Sequence, residues 1–248
     1  MTDTAPVALL TGSARRIGAA SARELHARGY RVIIHYHRSQ EAAQALTAEL
    51  NQQRPDSVAC LAADLQDMAA VQQLATAALD IWQRLDVLVN NASSFYPTPI
   101  GQATEAQFDE LFASNLKAPF FLAQALAPAL TESRGVIINI ADIHAQRPLK
   151  NHTLYCMAKA GNIMLTQSLA RELAPHVRVN GIAPGAIIWP EDESELNAEA
   201  KAAIVQRIAL QRSGEASDIA RTLAFLVIDA PYITGQILAV DGGRLLNH

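Results

Sequence analysis

The stretch ADIHAQRPLKNHTLYCMAK, residues 141 to 159, gathers side chains that could transfer protons. Tyr155 and Lys159 stand four positions apart, and this spacing puts both side chains on one face of a helix. A neighbouring lysine favours the phenolate, so we expect it to lower the pKa of Tyr155 from its ordinary value of about 10. Exposed amphipathic helices show the same spacing, so the pair indicates acid–base chemistry only together with other motifs.

Asp142 adds a carboxyl group upstream of that pair. A position under a ring and beside a phenol would favour the protonated carboxyl, which could then pass its proton on through Tyr155. The two groups would titrate as one coupled unit. Alternatively, Asp142 only caps the segment that leads to the next helix. His144, Arg147 and His152 lie nearby, but no spacing gives them a catalytic role, and we interpret them as polar loop residues.

The first apolar run, VALLT, leads directly into TGSARRIG, a loop bounded by Gly12 and Gly18 that opens a helix. Free amides at a helix N-terminus attract a pyrophosphate, and glycine lets the backbone approach it closely. Arg16 replaces the middle glycine of the usual fingerprint, and its planar guanidinium could pair with the diphosphate or with a substrate ring edge. An ordinary turn before a helix is the alternative interpretation.

The end of the second apolar run indicates which dinucleotide would bind. A site for NAD usually has an acid there, whereas this chain has His37, Arg38 and Ser39, which suit the 2′-phosphate of NADPH better. A solvated basic turn would have the same composition. Asp64, after the third run, could bind an adenine amine or could equally be the N-cap of a helix.

Short β-branched runs alternate with helical patterns along the chain, and the first helices are predicted at about 17–28, 40–52 and 68–83. This alternation predicts an α/β fold, a single Rossmann-type doubly wound parallel sheet of about seven strands with helices on both faces. Residues 1–248 are interpreted as one domain. The acidic segment at about 186–205, interrupted by Pro190, is predicted to be a substrate loop followed by a short helix.

The composition excludes several classes of partner. The chain has 248 residues, half of them hydrophobic, with a net charge of −4 and a pI near 6.0. It lacks the excess of positive charge that would attract nucleic acid or an anionic membrane surface, so a small-molecule substrate is expected. The N-terminal run is too short for a signal sequence or a membrane span, which predicts a cytoplasmic protein. Cys60 and Cys156 lack metal-site or redox spacing and are predicted to be reduced core thiols.

Taken in order, TGSARRIG, NNAS, Asn115 in FASNLKAP, the Tyr155–Lys159 unit and Pro184–Gly185 resemble the short-chain dehydrogenases/reductases along the whole chain. The resemblance implies that Tyr155 donates a proton, that Lys159 binds the nicotinamide ribose, and that Asn115 holds a relay water. The residues that it implies for NADPH binding are Gly12, Arg16, Ile17, Gly18, His37, Arg38, Ser39, Asp64, Leu65, Asn91, Ala92, Ser93, Tyr155, Lys159, Pro184 and Gly185.

Within that family the chain looks most like the pteridine reductases, as indicated by Arg16, HYHRS, NNASSFYPTP and Asp142 at the usual serine position. This resemblance implies that Ser93 lies near the pyrophosphate and nicotinamide, and that Phe95 covers one face of a pterin. Alternatively, Phe95 is a core aromatic. The implied substrate-binding residues are Arg16, Ser93, Phe95, Asp142 and Tyr155. Ala186 and Ile187 stand where that branch often has a hydroxyl group.

The expected activity is therefore NADPH-dependent reduction of dihydropterins, with biopterin, dihydrofolate and folate as further candidates. Each ring C=N bond needs a proton on nitrogen as hydride reaches carbon, which suits the acid and phenol. The alternatives are a ketone reductase acting on a 3-oxoacyl thioester or a sugar, and a sensor that binds NADPH without turnover. Wide apolar arcs on the two segments that begin at Phe108 and Ala158 predict a subunit interface. Similar reductases pair these helices into dimers and tetramers, so a homotetramer is predicted.

Overall fold

The structure is a computed structural model that describes residues 5–187 and 197–246. Its seven strands are all parallel and form one sheet in the order β3-β2-β1-β4-β5-β6-β7, which confirms the predicted fold class. The strands are β1 (Val7–Leu10), β2 (Arg31–Tyr36), β3 (Val58–Ala62), β4 (Val87–Asn90), β5 (Val136–Ile140), β6 (Arg178–Pro184) and β7 (Ile237–Val240).

The helices alternate with the strands, and the first three agree with the sequence prediction to within one or two residues. The π-helical turn Ala113–Lys117 joins two α-helices, and a second one, Phe225–Asp229, ends the last α-helix. The helices are α1 (Arg16–Ala27), α2 (Gln40–Gln53), α3 (Met68–Trp82), α4 (Glu105–Phe112), α5 (Ala118–Ser133), α6 (Thr153–Glu172), α7 (Ala198–Gln206) and α8 (Ala216–Ala224).

Both faces of the sheet are covered, because helices pack on each side of it. Alternate residues of a strand point to opposite faces, so Ala8 and Leu10 lie in one core cluster and Val7 and Leu9 in the other. Helices α1, α2 and α8 cover the first cluster, and α3, α5 and α6 cover the second. Burial on both faces explains why the strands consist of nearly continuous apolar residues.

The strand order reverses between β1 and β4, and the loops after these two strands lie side by side. The Oγ1 of Thr11 accepts hydrogen bonds from the amides of Asn91 and Ala92, each 3.0 Å long. The Asn91 side chain returns hydrogen bonds of 2.9 Å to the carbonyls of Thr11 and Gly12. Ligands of open parallel sheets bind at such a switch point, beyond the carboxyl ends of the strands.

Of the predicted substrate segment, residues 188–196 lie outside the described residues. The short helix expected at its end is present as α7. No helix in the described part of the chain is long and apolar enough to span a membrane. Both cysteines are free; Cys156 is buried as predicted, whereas Cys60 is only partly buried on β3.

Candidate active site

Tyr155 and Asp142 are in direct contact. The phenol oxygen of Tyr155, in the first turn of α6, donates a hydrogen bond of 2.8 Å to Oδ2 of Asp142, directly after β5. The other carboxyl oxygen, Oδ1, accepts the amide of His144 at 2.7 Å and so caps the short 3₁₀ turn Ile143–Ala145. The two interpretations of Asp142 are therefore compatible, because each uses a different oxygen atom.

Lys159 is completely buried one turn further along α6. Its Nζ donates a hydrogen bond of 2.8 Å to the carbonyl of Ile140 and lies 5.7 Å from the centroid of the Tyr155 ring. Burial lowers the pKa of Lys159 from 10.5 to about 8, although the negative charge of Asp142 acts in the opposite direction. A buried ammonium group whose pKa lies this close to neutral pH is a candidate for a functional group.

The expectation that the pKa of Tyr155 is lowered was wrong. Burial of the phenol is the main cause that raises its pKa well above the ordinary value of 10, and the adjacent Asp142 adds to the effect. A hydrogen bond with Ser93 lowers the pKa but does not outweigh these causes. A phenolate beside a carboxylate would place two negative charges in one poorly solvated site, so Tyr155 keeps its proton.

Asn115 lies in the π-helical turn between α4 and α5, and its side chain holds the loop that follows β4. Its Nδ2 donates to the carbonyls of Ser94 and Leu111 at 3.0 and 2.9 Å, and its Oδ1 accepts the hydroxyl of Ser93 at 2.7 Å. Asn162, on α6, donates to the Asn115 carbonyl at 3.1 Å. The geometry thus makes Asn115 a support for the loop of Ser93, and its water-holding role remains a prediction.

Phe95 is not a core aromatic, since 52% of its surface is exposed. One face of its ring stacks on His152, with centroids 4.7 Å apart and planes inclined by 14°, and it meets the Tyr155 ring edge-on at 4.8 Å. Sequence reasoning missed His152. Its place three residues before Tyr155, at the start of the same helix, is the signal that could have revealed it.

A cavity of about 400 Å³ opens at the switch point, within the range that binds cofactors. Residues not predicted from the sequence contribute to it, namely Arg15, His35, Gln66, Ser94 and Ser114. The predicted cofactor residues that line it are Gly12, Arg16, Ile17, Gly18, His37, Asp64, Leu65, Asn91, Ala92 and Ser93. The predicted residues outside its walls are Arg38, Ser39, Tyr155, Lys159, Pro184 and Gly185.

The two glycines of the first loop are required by close packing. Gly12 has a φ of +58°, and a Cβ there would lie 2.8 Å from the Cα of Ala92. A Cβ at Gly18 would lie 2.5 Å from the Cα of Ser13. The N-cap residue of α1, Arg15, makes no side-chain cap hydrogen bond, and the first three residues of the helix line the cavity.

The end of β2 is only partly as predicted. His37 lines the cavity and its Nε2 lies 3.6 Å from Oδ2 of Asp64, whereas Arg38 is exposed and Ser39 is the N-cap residue of α2. The N-cap alternative for Asp64 was wrong, because Asp67 caps α3 by accepting the amide of Ala69 at 2.8 Å. Asp64 instead accepts the amide of Gln66 at 3.0 Å.

Pro184 and Gly185 end β6 close to the turn after β7. A Cβ at Gly185 would lie 2.7 Å from the Cα of Asp241, so the C-terminal turn packs on this pair. Ala186 uses its carbonyl to accept the amide of Gly214 at 2.9 Å, and Ile187 is buried. Neither side chain can supply the hydroxyl group that pteridine reductases often have at this place.

Comparison with known proteins agrees with this geometry. Residues 12–244 match the family model described as Enoyl-(Acyl carrier protein) reductase. The chain is 38% identical to pteridine reductase 1 of Leishmania tarentolae, over 98% of this chain and 97% of that protein. It is also 37% identical to the 3-oxoacyl-[acyl-carrier-protein] reductase FabG of Staphylococcus aureus, over 96% of this chain and 98% of that protein. The corresponding reductase of Synechocystis is 37% identical over 98% of both chains.

These matches cover nearly the whole chain, and they include the cofactor loop, the Tyr155–Lys159 helix and the last strand. They bear out the resemblance read from the ordered motifs. They also identify the chain as an oxidoreductase, while relatives that act on different substrates match it at similar identity. The protein belongs to the short-chain dehydrogenase/reductase family.

Proposed function

We propose that the protein is a pteridine reductase that uses NADPH to reduce dihydropterins to their tetrahydro forms. The observation that carries the proposal is the hydrogen bond of 2.8 Å between Tyr155 and Asp142. Reduction of a ketone needs one proton donor that a neutral hydroxyl can steady. A carboxyl group in that place costs desolvation and is useful when a ring nitrogen must be protonated.

The cavity at the switch point has walls that suit a dinucleotide. The uncapped N-terminus of α1 offers amides to a pyrophosphate, and Arg16 and His37 bring positive or protonatable groups to the same space. We further propose NADPH rather than NADH, because the residues after β2 are His37, Arg38 and Ser39 and include no acid. When bound, the nucleotide supplies the hydride.

Protonation would then depend on three side chains. Tyr155 delivers its phenolic proton to the ring nitrogen, and its raised pKa makes the resulting phenolate short-lived. Asp142, which accepts the Tyr155 hydrogen bond at 2.8 Å, would then relay a proton from solvent to the phenolate, so that the two groups share one labile hydrogen. Lys159 keeps a positive charge under the ring below about pH 8, and this charge stabilises the phenolate while it lasts.

Phe95 and His152 supply the flat wall for the substrate. Their stacked rings stand edge-on to Tyr155, so a bicyclic ring that lies against Phe95 brings its edge toward the phenol. The exposed half of Phe95 leaves apolar surface for that contact. We propose that Phe95, Ser93 and Arg16 orient the pterin.

A 3-oxoacyl reductase is the second candidate, because FabG proteins match this chain at nearly the identity of the pteridine reductase. The test is oxidation of NADPH with dihydrobiopterin, dihydromonapterin, dihydrofolate and a 3-oxoacyl thioester, for the wild type and for Asp142→Ser. We expect activity on the heterocycles that falls by about 100-fold or more in Asp142→Ser, as for loss of a general acid. Turnover of the thioester alone would favour the second candidate, and binding of NADPH without turnover would favour a sensor.

We also propose a homotetramer built on the outer faces of α4, α5 and α6. Large apolar side chains are exposed on these helices, namely Phe108, Phe120, Phe121, Met157 and Met164. Contiguous apolar surface of this kind is typical of subunit interfaces. Light scattering at micromolar concentration checks the prediction, and a monomer there would contradict it.

A further inference from the structure

His35 is a buried polar side chain that the proton transfers described above do not use. It lies in the interior of β2, where its neighbours Ile33 and Ile34 are apolar, and only 1% of its surface is exposed. Its ring contributes to the wall of the cavity at the switch point. A buried imidazole that follows Val32, Ile33 and Ile34 needs hydrogen-bond partners.

Both ring nitrogens of His35 have partners from neighbouring strand ends. Nδ1 lies 3.0 Å from the amide of Gly12, which can only donate, so Nδ1 must be the unprotonated acceptor. Nε2 lies 3.1 Å from the carbonyl of Ala63, which can only accept, so Nε2 must carry the hydrogen. Only one neutral tautomer satisfies both contacts. Burial lowers the pKa of His35 to about 4, so the ring is neutral at physiological pH.

The backbone carbonyl of His35 binds Ser13, the residue that follows Gly12 in the loop after β1. Its carbonyl accepts the amide of Ser13 at 3.0 Å, so His35 binds two consecutive amides, those of Gly12 and Ser13. Both amides are thereby directed into the protein. A phosphate would then meet the first turn of α1, whose N-cap residue, Arg15, makes no side-chain cap hydrogen bond.

We infer that His35 is a positioning residue for the nucleotide, which fixes the first glycine turn through its Nδ1 acceptor before the nucleotide binds. The inference rests on the proposed binding of a nicotinamide nucleotide but not on the identity of the reduced substrate. Because the turn is already ordered before the nucleotide binds, none of the binding free energy is used to order it. Loss of this contact should therefore weaken binding. An apolar residue in place of His35 would remove the acceptor that the amide of Gly12 now has.

The test uses two variants that each keep half of the imidazole. His35→Asn keeps an oxygen near the position of Nδ1 and can still accept from Gly12, whereas His35→Gln keeps an amide near Nε2 and can still donate to Ala63. Fluorescence titration with NADPH should give a Kd within about threefold of wild type for His35→Asn and about tenfold weaker for His35→Gln. The KM for NADPH should follow the Kd, with a smaller change in kcat at saturating nucleotide.

His26→Gln is the matched control, because His26 is also a buried histidine, bonded at 2.8 Å to the hydroxyl of Ser57 and outside the cavity walls. It should lower the melting temperature without changing the Kd for NADPH. Equal weakening of NADPH binding by the two His35 variants, or no weakening by His35→Gln, would overturn the inference. If neither variant folds, long-range ¹H–¹⁵N spectra of the wild type decide, since a proton on Nδ1 of His35 is incompatible with it.

The outcome is separable from that of the proposed function. If the wild type binds NADPH but reduces no pterin, the pteridine reductase proposal is wrong. The inference about His35 is then still tested by the Kd values of the two variants. A wild type that prefers NADH would be titrated with NADH in the same way. A wild type that binds neither nucleotide would overturn both.

Discussion

Replacing Lys159 by methionine should change how the stability of the protein depends on pH. Its ammonium is completely buried, and burial lowers its pKa from 10.5 to about 8. The unfolded chain therefore holds one more proton than the folded one between these two values, and the free energy of unfolding rises with pH in that window. Each pH unit contributes about 1.4 kcal/mol, so below pH 8 the buried charge costs the folded wild type about 3 kcal/mol.

Lys159→Met removes this charge and preserves most of the side-chain volume. Below about pH 8 the difference in unfolding free energy between variant and wild type should be constant, because wild-type Lys159 is then protonated in both states. Above about pH 8 that difference should shift in favour of wild type, by about 2 kcal/mol by about pH 9.5. The lost hydrogen bond to Ile140 adds an offset that does not depend on pH.

The assay is urea unfolding from about pH 7 to about pH 9.5, followed by far-ultraviolet circular dichroism. Staying below the ordinary pKa of tyrosine, about 10, keeps titration of the unfolded phenols out of the measurement. Lys150→Met is the control, since Lys150 is exposed and its loss should give a difference that is flat with pH. Parallel curves for Lys159→Met and wild type over the whole range would refute the reasoning.

The remaining predictions concern the loop, the buried histidine and the aromatic wall. Gly12→Ala should lower the free energy of unfolding by about 2 kcal/mol or more and abolish tight NADPH binding, because its Cβ would meet Ala92. Gly29→Ala is the control: Gly29 has a φ of +93°, but its Cβ would meet nothing within 4 Å, so thermal unfolding should show a loss of only about 1 kcal/mol. The pKa of His35 in the folded protein is lowered to about 4, so the free energy of unfolding should fall by about 3 kcal/mol as the pH falls from about 6.5 toward 4. Urea unfolding of His35→Asn should not show this fall. Phe95→Ala should raise the KM for dihydrobiopterin about tenfold and leave the Kd for NADPH unchanged, while Tyr232→Ala, which removes a fully exposed aromatic side chain, should change neither.

Much of the fold could be predicted from the sequence, because its signals are local. Short apolar runs such as Val7–Leu10 suit strands that are buried on both faces, and the helices between such runs favour parallel pairing. The Tyr155–Asp142 contact also followed, since one residue ends a strand and the other begins the next helix. Residues 188–196, which include most of the expected substrate loop, lie outside the described part of the chain.

The parts that were missed or wrong depend on distances between loops. The pKa of Tyr155 is raised rather than lowered because burial and Asp142 dominate, and neither quantity can be read from a spacing of four residues. The stack of His152 on Phe95 joins two loops that are far apart in sequence. Asp64 precedes a helix as an N-cap would, but the helix begins after Asp67 instead. In each case the local pattern allowed two outcomes and tertiary packing chose between them.

The central claim is that the phenol of Tyr155 and the carboxyl of Asp142 share the proton that a reduced pterin ring receives. The most direct measurement is the pH dependence of kcat for dihydrobiopterin at saturating NADPH, in the wild type and in Asp142→Asn. An amide cannot return a proton to the phenol, so the variant should be slower by about 100-fold or more and should lose the fall in rate that accompanies deprotonation of the pair. A variant that keeps both the rate and the pH profile of the wild type would contradict the claim.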